Sequence, residues 1–385
     1  MSQTPLKGVR VLDLTNVLAG PYCSYQLLLF GADVIKIEIP GSGDLARQLG
    51  ADPELNSINL GASFLAQNAG KKSVTLDLKD PIDKETFRTL VVNTDVLLEN
   101  FRPGVLARLG FSWDELRKLN PKLIYCAISG FGQSGPMSAR PAYDQIIQGL
   151  AGMMSVTGND DVAPLRAGYP VCDTIGGLAA AMAISAALVG RSINGEGAFL
   201  DVSMLEASIS AMGWAVSNYL ITGQTPSPMG NDNATAAPSG AFLTKSGMLN
   251  IAANRQEQFA TLSNLIGRPE LLEDPRFRGA EDRKKNRDAL NQEVAKGLAS
   301  KSAIEWEELL SSNGVPAARI LTVPEMVELT QLKERGFFTK LPFPGDEKRI
   351  LTVSGNGVLV DGEPLRAHTP PPLLGQHNLE IIKDH

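Results

Sequence analysis

The chain has no histidine before position 368, and its three, His368, His377 and His385, fall within the last 18 residues. A Ser-His-Asp hydrolase, a Cys-His acyl-transfer enzyme or a histidine zinc site would have to draw its base or ligand from that tail. A satisfied or solvent-facing histidine is expected at each position. Cysteine is as sparse: Cys23, Cys126 and Cys172 lie far apart among apolar neighbours. That is the pattern of reduced core thiols, so neither a disulfide nor a metal is expected. Like charges never run to five in a row and the net charge is −6, which argues against a nucleic-acid or polybasic membrane surface. Small molecules or a second copy of the chain are the expected partners. MSQTPLKGVRVLDL has no charged segment leading into an apolar one and no small-residue cleavage site, so a cytoplasmic protein is expected.

Long apolar runs are also scarce. In DTIGGLAAAMAISAALVG, starting at Asp173, the uncharged part reaches roughly 26 Å at ~1.5 Å per residue, short of the ~30 Å of a bilayer core. Rich in Ala and Gly and bracketed by Asp173 and Arg191, it reads as a helix buried in a large core.

What is present is a strand and helix alternation. VRVLDL, a loop NVLAG, a helix opened by Pro21 and then DVIKIE form a parallel strand, helix, strand start. SVTLDL, VLLEN and LIYCAIS follow, separated by the helical patterns KETFRTLVVN and WDELRKLN, which predicts an α/β, doubly wound, Rossmann-like body. QTPSPMGNDNATAAPSG then reads as linker and loop, AFLTKSGMLNIAAN as a hairpin turning at Ser246 and Gly247, and 256–312 as amphipathic helices. The expected organisation is a large domain of 1–200 plus 341–385, a smaller α+β domain of 229–322, and linkers at 201–228 and 323–340.

Glu38 ends the second strand as a ribose-binding acid would, but NVLAGP has one glycine where a dinucleotide fingerprint needs three. ISGFGQSGP follows a strand and is suited to bring backbone N–H groups to a phosphate, although such turns also occur without ligands.

Taken together, LKGVRVLDLTNVLAGPYCSYQLLLFGADVIKIEIPGSGD, NAGKKSVTLDLKD, TDVLLENFRPGVLARLGFSWDEL, LIYCAISGFGQSGP, VCDTIGGLAAAMAISAALVGRSINGEGAFLDVSMLEA and PPLLGQH span nearly the whole chain. As a set they resemble the family III CoA-transferases, the group that includes formyl-CoA transferase, carnitine CoA-transferase and the α-methylacyl-CoA racemases. By position alone Asp173 reads as a helix N-cap. The resemblance implies that it is the nucleophile, passing through a mixed anhydride and an aspartyl-CoA thioester, and the two roles are compatible. The helix N-terminus is expected to keep the carboxylate ionised against desolvation.

For coenzyme A the resemblance implies Leu18 and Ala19, the run Leu76, Asp77, Leu78 and Lys79, then Asn100, Phe101 and Arg102, Arg108, and the loop Ser129, Gly130, Phe131 and Gly132. Lys79, Arg102 and Arg108 would face the phosphates. Ile39 stands where several members carry an adenine-contacting Arg. Gly176 and Gly177 either clear the attack site or allow close helix packing, and MGNDNATAAPSG takes the place of the family's mobile glycine loop. An interlocked homodimer is also implied.

The racemase branch pairs its aspartate with a histidine, where this chain has Tyr143 before Asp144. With an unperturbed pKa near ~10, tyrosine is a poor partner for that proton transfer, which favours the transferase over a racemase or epimerase. A non-catalytic CoA-binding protein is the other alternative, and the intact Asp173 speaks against it. The substrates are then an acyl-CoA and a small carboxylic acid. Leu18 replaces the Gln of the formyl/oxalate enzymes, which disfavours oxalate, and Arg47 is read either as a clasp for the distal carboxylate of a dicarboxylic acid or as a solvent-exposed side chain.

Overall fold

The computed structural model describes residues 4–382. The chain forms two compact units, one of residues up to 153, 166–225 and 330 onward, the other of 154–165 and 226–329.

In the first unit six strands form one sheet: Arg10–Asp13 (β1), Asp33–Glu38 (β2), Lys72–Thr75 (β3), Val96–Glu99 (β4), Ile124–Ser129 (β5) and Ala198–Ser203 (β6). Their order is β3-β2-β1-β4-β5-β6 and every neighbouring pair is parallel. The doubly wound architecture expected from the sequence is therefore present. A parallel sheet needs cover on both faces, and the strands supply an apolar residue at nearly every position. Val11, Val34, Leu98 and Cys126 pack with helices Ala19–Leu29 and Val171–Asn194. Leu12, Ile35, Leu97 and Tyr125, on the other face, pack with helices Pro81–Val92 and Trp113–Leu119. Cys23, Cys126 and Cys172 are free and buried, as anticipated.

The Val171–Asn194 helix departs from expectation. Cys172, Gly176, Gly177, Ala180, Ala181 and Ile184 form a buried face, but Met182 is 71% and Ile193 82% exposed on the rest of it. The apolar run therefore buries only part of its circumference in this chain.

The expected linker at 201–228 begins instead with the end of β6 and two helices, Met204–Ala211 and Trp214–Thr222, all within the first unit. The region 323–340 holds helices Val323–Val327 and Thr330–Glu334 and enters strand Phe338–Phe343, which pairs antiparallel with Asp346–Ser354. The tail is pinned along β3: the Gly70 N–H donates to the Thr369 carbonyl (2.9 Å) and the Ser73 N–H to His377 Nδ1 (3.1 Å). His377 is thus a satisfied structural histidine and His368 is exposed; His385 lies outside the described residues.

The second unit carries the expected hairpin, Ser239–Leu243 against Met248–Ala252, and adds a third strand, Ala317–Arg319. Helices Gln256–Leu265, Arg287–Leu298 and Ala303–Ser312 enclose Phe259, Leu262, Leu290 and Trp306.

Candidate active site

The strand order reverses between β1 and β4, and at such a point the loops leaving the C-terminal strand ends part to form a crevice. Here the loop after β1 (16–19), the turn after β4 (100–103) and the end of β5 (129–130) line a cavity of about 230 Å³ whose wall also holds Arg140, Tyr143 and Asp173. Leu18, Ala19, Asn100, Phe101, Arg102, Ser129 and Gly130, which the resemblance assigns to coenzyme A, thus line one cavity together with Asp173. Ser129 is 7% exposed and its hydroxyl has no partner, a buried polar group left open on a cavity wall. Among the described residues neither Arg102 nor Arg140 forms an ion pair.

Asp173 lies in the first turn of its helix, three residues inside, and Pro170 holds the N-cap position without a side-chain bond. The capping role expected of Asp173 belongs to Asp144. Asp144 Oδ1 accepts the N–H groups of Cys172 (2.8 Å) and Asp173 (3.3 Å), while its Oδ2 accepts from Gln148 Nε2 (2.6 Å). Gln148 is buried and its Oε1 accepts the Ala167 N–H (2.8 Å). The helix terminus is thereby already occupied by a carboxylate. Burial, and then the neighbouring Asp144 charge, push the Asp173 carboxyl up to about 7, where the helix dipole was expected to hold it low. The Asp144 and Gln148 pair, four apart on one short helix, was the overlooked signal for this support.

A second cavity of about 250 Å³ lies at the ends of β2 and β3 and shares Asn16 and Phe101 with the first. Leu76, Asp77, Leu78 and Lys79 line it, with Ile39 and Leu109. Arg108, Phe131 and Gly132 line neither cavity. The glycine turn binds its own chain: the Gln133 N–H donates to both oxygens of Asp201, at 2.9 and 3.0 Å.

Arg47 is not an acid clasp. It is fully buried, its guanidinium grips Glu38 with two bonds of 2.7 Å, and it lies 3.7 Å over the Phe64 ring. Glu38, which also accepts from Ser73 Oγ (2.7 Å), is likewise committed internally and not free for a ribose. Gly176 and Gly177 serve packing: a Cβ on Gly177 would come 2.5 Å from the Ala19 carbonyl oxygen, and on Gly176 2.9 Å from Met204. The 229–240 segment is tied within its own unit, where Arg283 and Arg287 donate to the carbonyls of Ala237 (2.9 Å) and Ala236 (2.8 Å).

Sequence reasoning also missed Glu99. Its carboxyl is buried, which pushes it up to about 7, and it accepts the Phe101 N–H (2.6 Å) and the Tyr125 hydroxyl (3.0 Å), bracing the turn that carries Asn100 and Arg102.

A doubly wound sheet with an unengaged carboxylate and two unpaired guanidiniums at its switch point defines a Rossmann-like protein equipped for an anionic ligand. The match to known proteins is specific: the chain belongs to CoA-transferase family III, whose description fits residues 6–378, and it is an enzyme that transfers CoA. It is 36% identical to mouse (Mus musculus) succinyl-CoA:glutarate CoA-transferase over 383 residues, covering 100% of this chain and 87% of the relative. It is 40% identical to the acetyl-CoA:oxalate CoA-transferase of Acetobacter aceti over 350 residues, 90% and 89% of the two chains. The crystal structure of a CAIB/BAIF family protein from Brucella suis superposes with a TM-score of 0.86 at 33% identity, covering 100% of both chains.

Proposed function

We propose that the protein moves CoA from an acyl-CoA donor to a small dicarboxylic acid, with Asp173 as nucleophile. The ionised carboxylate attacks the thioester carbonyl carbon, the C–S bond breaks, and CoA leaves as thiolate from an acyl-aspartyl anhydride. The thiolate then attacks the aspartyl carbonyl carbon, releasing the donor acid as a carboxylate and leaving an aspartyl-CoA thioester. The acceptor carboxylate attacks that thioester and expels the thiolate, which takes the acceptor's acyl carbon and frees Asp173. No proton changes hands, so no histidine is needed.

The observation that carries this reading is the state of Asp173: a carboxyl raised to about 7 by burial and by Asp144, on the wall of a cavity that also holds Arg102 and Arg140. A more basic carboxylate is a stronger nucleophile once ionised, and perturbed acids concentrate at reacting centres. Arg102, beside the Phe101 that lines both cavities, suits the CoA phosphates, and the second cavity, with Ile37, Ile39, Leu76 and Leu109 on its wall, suits the adenine end. With Arg47 sequestered, Arg140 is the guanidinium available for the acceptor's far carboxylate. Relatives named for glutarate and oxalate support a dicarboxylic acceptor, and oxalate belongs in the test despite Leu18.

The test is to incubate the protein with succinyl-CoA and a panel of mono- and dicarboxylic acids, following new CoA thioesters by mass, and then to trap the intermediate with hydroxylamine. The expected results are exchange with dicarboxylic acids and a single modified peptide containing Asp173. Full exchange by Asp173→Asn, with that peptide unmodified, would remove the mechanism.

A further inference from the structure

Val17 has φ 67°, left-handed backbone that a β-branched residue rarely adopts. It lies on the cavity wall between Asn16 and Leu18, so the strain is at the site and asks what holds it there.

Side chains from distant parts of the chain hold it. The Val17 N–H donates to Asp44 Oδ1 (2.9 Å), and Asp44 Oδ2 pairs with Lys36 Nζ (2.9 Å). Lys36 Nζ in turn donates to the Thr15 carbonyl (2.7 Å). The preceding residue is clasped through both its main-chain groups: the Asn16 N–H donates to Asn100 Oδ1, and Asn100 Nδ2 to the Asn16 carbonyl, each at 2.8 Å. Thr15 N–H donates to Asp13 (2.9 Å), itself paired with Lys71 (3.0 Å). Asp44 is 1% exposed and Lys36 is fully buried. The Asp44 N–H donates to Glu38 (3.0 Å), the carboxylate that Arg47 grips.

Three buried ion pairs, Lys36–Asp44, Lys71–Asp13 and Arg47–Glu38, thus converge beneath one short loop. Buried pairs are a poor means of stabilising a fold, because desolvation offsets their attraction and well-packed apolar residues often do as well. What they supply is geometry, since each charge accepts few arrangements of its neighbours. Strain at Val17 would relax if the loop were held loosely.

We propose that Asp44 is a positioning residue for CoA transfer: fixed by Lys36, it holds Val17 in its left-handed conformation and so sets Leu18 and Ala19 on the wall of the cavity that also holds Asp173. Asp44 touches no ligand and acts through Val17. This inference goes beyond the assignment of Asp173 and does not require it.

A double-mutant cycle of Asp44→Ala and Val17→Gly tests it, read as kcat and KM for acyl exchange between succinyl-CoA and glutarate beside thermal unfolding. Asp44→Ala removes the acceptor of the Val17 N–H and should lose tenfold or more in kcat, with KM for the thioester changed less than threefold. Glycine adopts this φ without strain, so Val17→Gly should melt no lower than the parent and, placed on Asp44→Ala, should recover threefold or more of the lost kcat. A double variant no faster than Asp44→Ala, or an Asp44→Ala protein with parental kcat, would overturn the proposal. If Asp44→Ala does not fold, Asp44→Asn, which breaks the pair with Lys36, takes its place with the same outcomes. If the parent does not use this substrate pair, the substrate reading above fails instead, and the same cycle is read with the donor and acceptor that the acid panel identifies.

Discussion

Asp144 precedes Asp173 by 29 residues, yet its carboxylate accepts the Asp173 main-chain N–H at 3.3 Å. One acid therefore occupies the helix terminus while the other faces the cavity without that support. Asp173, half-buried and set beside the Asp144 charge, is pushed up in proton affinity by that burial first and by the like charge second. On the reading proposed for Asp173, the arrangement sets a structural acid beside a nucleophilic one.

A pH dependence follows from this relationship. If ionised Asp173 is the attacking group, kcat/KM should fall about tenfold per pH unit below about 7 and level off above it. Asp144→Asn keeps an acceptor for the Cys172 and Asp173 N–H groups but removes the like charge. Its acid limb should move to lower pH by about a unit, with a lower plateau because the nucleophile is less basic. Rate profiles from pH 5 to 9 on both proteins check this, and superimposable limbs would break the link.

The same raised pKa bears on stability. Between about pH 4, where an unfolded aspartate loses its proton, and about 7, the folded chain retains it, so stability falls as pH rises through that window. Asp173→Asn escapes the penalty. It should unfold like the parent near pH 4 and be more stable at pH 8, on the order of 2 kcal/mol after allowance for solvent at this half-buried site. Urea unfolding at both pH values measures the difference. An Asn variant less stable than the parent at pH 8 would show that the folded chain favours the ionised Asp173 carboxylate instead of penalising it.

Much of this was legible in the sequence because it was local. Apolar strands bounded by turn residues revealed β1 to β5, and Asp173 at the head of an apolar helix drew notice at once. What escaped depends on pairings across the chain. Nothing near Arg47 says that Glu38 and Phe64 will enclose it, so the sequence left it either as a substrate clasp or as a solvent-exposed side chain. Asp144 looked like a neighbour of Tyr143 because the main-chain N–H groups it caps, those of Cys172 and Asp173, lie far along the chain. Lys36, a charge in the middle of a strand buried on both faces, was the one local clue to the ion pairs under the loop after β1, since such a charge needs a partner.

Arg47→Met separates the two roles once open to that residue. Removing one member of a buried pair leaves the other charge unpaired, with a loss of about 3–5 kcal/mol expected. The KM values of acceptor acids should stay within twofold for whatever protein folds. A variant of parental stability with a raised KM for glutarate would return Arg47 to the substrate site.

Arg140→Lys should act in the opposite sense. Its guanidinium is exposed, so thermal stability should be unchanged, but loss of the planar fork should raise KM for dicarboxylic acceptors by about ten- to a hundredfold. Monocarboxylic acids, with no distal group to hold, should be affected less than threefold. Equal effects on both classes would take the far carboxylate away from Arg140.

The apolar residues left uncovered lead to the last expectation. Met182 and Ile193 on the long helix, and Trp214, Leu220 and Ile221 on the next but one, are each at least 71% exposed in the single chain. Large apolar side chains are costly to leave open to water in such number, and exposed apolar surface of this kind marks association surfaces. A bilayer is a poor occupant, because Arg191, in the last turn of the long helix, is paired with Asp95 at 2.8 Å. We therefore expect a second copy of the chain as the partner, in a homodimer with a large apolar interface. Sedimentation at micromolar concentration should find dimer, and Ile193→Asp or Ile221→Asp should weaken it by at least tenfold, since each would bury an unpaired charge. Such variants should also lose thermal stability as the protein is diluted, because folding and association are then linked. A parent that sediments as monomer with undiminished acyl exchange would show these helices to be exposed for another reason.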